Sequence, residues 1–85
     1  ILLDVRRIDE FEEGHIPGAI NIANESINSS EPKELQDKEQ TIYVYCRSGN
    51  RSKTAAKILA NNGYTVVELA SGFRGWVTAG KEVER

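Results

Sequence analysis

The stretch that constrains this chain most runs from Thr41 to Ala60. Thr41-Ile42-Tyr43-Val44-Tyr45 is β-branched and aromatic, the composition of a strand, and it ends at Cys46, the only cysteine. Arg47-Ser48-Gly49-Asn50 cannot extend that strand, and Arg51-Ser52-Lys53-Thr54-Ala55-Ala56-Lys57-Ile58-Leu59-Ala60 reads as a helix up to Asn61, with Asn62-Gly63 as its stop. Ala55, Ala56, Ile58, Leu59 and Ala60 are its expected apolar side. A thiol is thus set between the end of a strand and the first turn of a helix. Unpaired N–H groups and partial positive charge gather there, and such a setting can lower a thiol pKa from about 8.5 to roughly 3.5–7.5. A lone Cys after a strand is commonly plain core. Here two arginines and permissive polar residues follow it at once, and burying two guanidinium groups without an anion is costly.

The rest of the chain supplies a parallel α/β setting. Ile1 to Val5 is continuously apolar but for Asp4, as expected of a strand buried on both faces. Asp9-Glu10-Phe11-Glu12 reads as a capping box with Asp9 as N-cap, and Gly14 ends the helix. His15-Ile16-Pro17-Gly18 is a turn and Ala19–Ile22 a brief strand. Ala23 to Ser30 is polar and irregular, and a helix is expected from Pro32 to about Lys38. Tyr64–Leu69 is a further strand, and Ser71–Trp76 gives a turn and a last helical turn or two. Alternating strands and helices predict a mostly parallel sheet with helices on both faces. Right-handed crossovers bring the Cys46 loop and the Asp4–Arg7 segment to one edge, where open α/β sheets bind ligands.

At 85 residues, 39% hydrophobic and 28% charged, the sequence describes one small globular domain. Its net charge of −2 and lack of a basic stripe argue against a nucleic-acid surface. One Cys and one His cannot build a structural zinc site, and no apolar run approaches the ~18 residues of a membrane span. A reactive thiol without a disulfide partner points to a cytoplasmic setting. Ile1 is not an initiator Met, and Ile1–Val5 already reads as a mid-domain strand, so a preceding segment is expected.

Four pieces, in order and at workable spacing, resemble the rhodanese-like sulfurtransferase family: Leu3-Asp4-Val5-Arg6 with Asp9-Glu10-Phe11; Gly14 to Ile22; Tyr45 to Ser52; and Leu59, Gly63-Tyr64 and Gly72 with Trp76. The likeness runs over nearly the whole chain. Departures are Ala23 where Pro is common, Ser71 where the first of two glycines is common, and the absence of a strand and helix ahead of the first piece.

The resemblance implies a Cys46 nucleophile that takes a sulfane sulfur from thiosulfate or a similar anionic donor and passes it, as a persulfide, to cyanide, a thiol or a partner protein. No cofactor and no partnered base are needed, because a thiolate made by its surroundings is already the reactive form. Substrate-binding residues would be Arg47, Ser48, Gly49, Asn50 and Arg51: the arginines as anion handles, Gly49 for backbone freedom, Ser48 and Asn50 mainly through backbone N–H groups. The bland reading of both arginines is a solvated loop charge. Asp4 and Arg6 read as a structural ion pair near the mouth, His15 as structural, and Trp76 as core or a lid contact.

Related phosphatases of this architecture have five residues between Cys and Arg. Here four separate Cys46 from Arg51, a tighter cup suited to one terminal sulfur. The alternatives are a phosphatase or arsenate-handling enzyme, a regulatory or sulfur-sensing module, and a sulfur-relaying part of a longer protein. A Cys–His pair of the papain kind is the least supported.

Overall fold

The computed structural model describes residues 1–23, 27, 39–47 and 50–85, with Asn50 and Arg51 described in their backbone only. The expected helix at 32–38, most of the irregular 23–30 stretch, Ser48 and Gly49 lie outside the described residues.

The elements are β1 (Leu2–Asp4), α1 (Ile8–Glu13), β2 (Ile20–Asn21), β3 (Thr41–Tyr45), α2 (Asn50–Asn61), β4 (Thr65–Glu68) and α3 (Gly72–Thr78). Among the described residues the sheet has the order β2-β1-β3-β4, with every pairing parallel. The expected α/β architecture is therefore present. Strands β1 and β3 are its inner pair, which explains why Leu3, Asp4, Val5, Ile42, Val44 and Tyr45 are all buried.

Register divides the side chains between two faces. Leu3 lies opposite Val44, Ile42 opposite Val66, and Val44 opposite Glu68. Since side chains alternate along a strand, one face carries Leu3, Ile42, Val44 and Val66. This face and α2 form the core: Leu3, Val5, Ile22, Ile42, Val44, Cys46, Ala55, Leu59 and Tyr64 make one cluster. The other face carries Leu2, Tyr43, Tyr45 and Val67, with Phe73 and Trp76 of α3 beside it.

Boundaries shift in places. The first helix starts at Ile8, with Arg7 as its N-cap, instead of after Asp9. Arg7 N–H donates to the Glu10 carboxylate at 3.2 Å, so Glu10 takes the role expected of Glu12, while Asp9 pairs with the Arg7 guanidinium at 3.1 Å. The cap moves because Arg6 is anchored to Asp4 and to the Gly14 carbonyl, which fixes where the chain can begin to turn. Ala60 is exposed; Ala55 and Leu59 carry the buried stripe of α2, flanked by Ala56 and Ile58. Strand β4 is shorter than Tyr64–Leu69, with Tyr64 buried just before it.

Candidate active site

The parallel strands bring three strand-to-helix connections to one edge, after β1, β3 and β4. Cys46 follows β3 there. By alternation it continues the Ile42–Val44 face, and it is 1% exposed. The thiol therefore belongs to the core cluster and also stands at the carboxyl end of an inner strand, four residues ahead of α2. The core reading and the site reading meet in one residue.

One further side chain meets the sulfur and a second stands behind it; neither is among the site residues expected from the sequence. Ser52, third residue of α2 and fully buried, has its hydroxyl 3.6 Å from Cys46 Sγ, which donates to it. Ser52 Oγ in turn donates to Glu68 Oε1 at 3.3 Å. The signals were present: Ser52 precedes Ala55 and Leu59 at helical spacing, and the alternation of β4 puts Glu68 on the face of Val66.

Helix α3 fixes the backbone at the sulfur. Phe73 N–H donates to the Cys46 carbonyl at 2.8 Å and Arg74 N–H to the Arg47 carbonyl at 3.0 Å. In a trans peptide the C=O and N–H point oppositely, so holding the Cys46 carbonyl against α3 turns the Arg47 N–H away from that helix. Gly72 permits the approach. It has φ +62°, and a Cβ there would stand 2.6 Å from both the Cys46 and Arg47 carbonyl oxygens.

At the same end of the sheet, on the Tyr45 face, lies a buried charged cluster. Asp4, fully buried, accepts from the Arg6 backbone N–H at 2.8 Å and pairs with its guanidinium at 2.7 Å. Arg6 also donates to the Gly14 carbonyl and lies 4.1 Å above the Phe73 ring. The expected ion pair is thus an architectural tie between β1, the end of α1 and α3. Burial pushes the Tyr45 phenol well above its ordinary range, and the neighbouring Asp4 carboxylate adds to this. The neutral phenol oxygen accepts from Ile16 N–H at 3.1 Å.

His15 is occupied elsewhere. Its Nδ1 donates to the Phe11 carbonyl at 2.9 Å, its Nε2 lies 3.0 Å from the Glu84 carboxylate, and its ring stacks on Phe11 at 3.8 Å. This is the structural role expected of it.

Of the candidate substrate-binding residues, Arg47 is exposed and lines a groove of about 640 Å³ with Arg6, Arg7, Phe73 and Arg74 among its other walls. Asn50 and Arg51 are the first two residues of α2. Ser48 and Gly49 lie outside the described residues. Trp76 is half-buried and lines the apolar side of the sheet with Leu2, Tyr43 and Val67.

Known proteins resemble this chain in sequence and fold. The chain is 38% identical over 72 residues to the thiosulfate sulfurtransferase PspE of Escherichia coli (strain K12), covering 85% of this chain and 69% of that protein. It is 37% identical over 76 residues to YrkF of Bacillus subtilis (strain 168), described as a candidate sulfur carrier protein, covering 88% of this chain but only 40% of the relative. The crystal structure of a rhodanese-related protein from Thermoplasma volcanium superposes with a TM-score of 0.87 at 30% identity, over 98% of this chain and 81% of that one. Residues 1–79 match the rhodanese-like domain as a family. With the parallel sheet, the cysteine at the end of β3 and the helix that follows it, these likenesses place the chain in the rhodanese-like domain family.

Proposed function

We propose that this domain is a sulfurtransferase whose Cys46 thiolate attacks the outer sulfur of thiosulfate or a similar anionic donor. The S–S bond of the donor breaks, sulfite leaves with its electron pair, and Cys46 carries the persulfide. A thiol or cyanide then takes the outer sulfur and returns the thiolate. Two half-reactions through a covalent intermediate give ping-pong kinetics.

The observation that carries this reading is the position of the sulfur, at the end of β3, against the first turn of α2 and within reach of the Ser52 hydroxyl. A helix start favours anionic sulfur, which serves both the thiolate and the persulfide. Arg47 and Arg51 hold the donor's charge, and backbone N–H groups of Ser48, Gly49 and Asn50 complete the cup. PspE is by name a thiosulfate sulfurtransferase, which supports thiosulfate as the donor to try first.

Intact mass before and after thiosulfate, without reductant, tests this. The expected result is a gain of about 32 Da on Cys46, one added sulfur atom, removed by cyanide or dithiothreitol. A thiol that still alkylates but gains no mass would reject thiosulfate as the donor. Turnover of an aryl phosphate instead would favour the phosphatase alternative.

A further inference from the structure

We propose that Glu68 is a positioning residue for the Cys46 sulfur: it fixes the direction of the Ser52 hydroxyl proton, and so sets the pH at which the sulfur becomes reactive. The inference rests on the proposed role of Cys46 as nucleophile.

The argument is one of proton count. A Ser hydroxyl has one proton to give and lone pairs to receive. Glu68 is a carboxylate and can only accept, so while it holds the Ser52 proton at 3.3 Å, the hydroxyl meets Cys46 as an acceptor. That arrangement suits the protonated thiol. A thiolate needs the reverse, a donor pointing at sulfur. When the Cys46 S–H bond breaks and its proton leaves to water, the Ser52 O–H can turn to the sulfur only by giving up its bond to Glu68. The ionised thiol gains one hydrogen bond as the carboxylate loses one. Glu68 therefore opposes ionisation through Ser52, in addition to any repulsion its charge exerts directly.

The position of Glu68 fits this role. It ends β4 on the α2-facing side, opposite Val44, and among the described residues it forms no ion pair. Other charged groups near this end of the sheet are the Asp4–Arg6 pair at the end of β1, the exposed Arg47 that follows Cys46 in the chain, Arg74 on α3 and the exposed Lys53 that follows Ser52. They are the same in every variant below and cancel in the comparison.

The test is the rate of Cys46 alkylation by iodoacetamide between pH 5 and 10, read by intact mass, for the parent chain, Glu68→Gln and Glu68→Asp. The Asp variant keeps the charge but withdraws the carboxylate from Ser52 by one methylene. Both variants are expected to titrate about half to one pH unit below the parent, which is about three- to tenfold more thiolate on the acid side. An Asp variant that titrates like the parent while Gln shifts would show that only the charge matters, and would overturn the proposal. So would the absence of a shift in both. The assay needs no sulfur donor. A parent chain that gains no sulfur from thiosulfate but shows both shifts would therefore reject thiosulfate as the donor and leave the Glu68 relation standing.

Discussion

Gly72 and Cys46 stand so close that no side chain fits between them. The carbonyl of Cys46 accepts from Phe73 N–H, one residue beyond Gly72, and a Cβ on Gly72 would meet the carbonyl oxygen at 2.6 Å. The start of α3 is in this way the floor on which the thiol segment rests.

Gly72→Ala is accordingly expected to cost about 2–4 kcal/mol, from the positive φ and from contact with backbone that cannot yield. Denaturant unfolding measures the cost. Persulfide formation should slow as well, since relief requires the Cys46–Arg47 peptide to move. Unchanged stability would mean that the first turn of α3 tolerates the displacement.

Asp4→Ala strands the Arg6 guanidinium, 4% exposed, without its carboxylate. A broken buried pair costs about 3–5 kcal/mol. Urea unfolding of this variant against the parent chain reads the loss directly, and a cost under about 1 kcal/mol would show that Gly14 and Phe73 suffice for Arg6.

Tyr45 gives a pH dependence with a definite sign. Its phenol is raised above the ordinary value near 10, first by burial and then by Asp4. The folded state therefore keeps a proton that the unfolded chain releases. Stability from this group is whole below about pH 10 and falls as pH rises from there toward the folded value. Tyr45→Phe should lose about 1–3 kcal/mol at neutral pH, because Ile16 N–H loses its acceptor. It should also show a smaller fall in stability between pH 8 and 11 than the parent chain. An equal fall in both would assign the alkaline loss to other groups.

His15→Ala should destabilise by about 1–2 kcal/mol through loss of the bonds to Phe11 and Glu84 and of the ring stack, while leaving thiosulfate turnover intact below the melting temperature. A turnover loss of a hundredfold or more would revive a Cys–His mechanism.

Cys46→Ser should abolish sulfur uptake in a folded domain. Arg51→Ala should raise the KM for thiosulfate about ten- to a hundredfold, the worth of a charge-assisted hydrogen bond, with little change in melting temperature. Steady-state kinetics separate the two effects, and an unaltered KM would remove Arg51 from the site.

The sequence by itself determined the order of the described elements, because each carries a local signature. The β-branched run Thr41–Tyr45 is a strand at the expected bounds, and Asn62-Gly63 stops α2 just past Asn61. It also placed Cys46 at the sheet edge and read Asp4–Arg6 as an ion pair, since a charged pair at a strand end has few other uses. Tertiary structure decided what local pattern cannot encode. The first helix begins at Ile8 because Arg6 is tied to Gly14, eight residues away. Ser52 meets the sulfur, and Glu68 meets Ser52, only when α2 packs on β3 and β4. Gly72, 26 positions from Cys46, meets it because parallel strands return every strand-to-helix connection to one edge. The proposed chemistry of the thiol is read from the residues that follow it, whereas Ser52 and Glu68, proposed to position its proton, come from a helix and a strand that only the fold brings together.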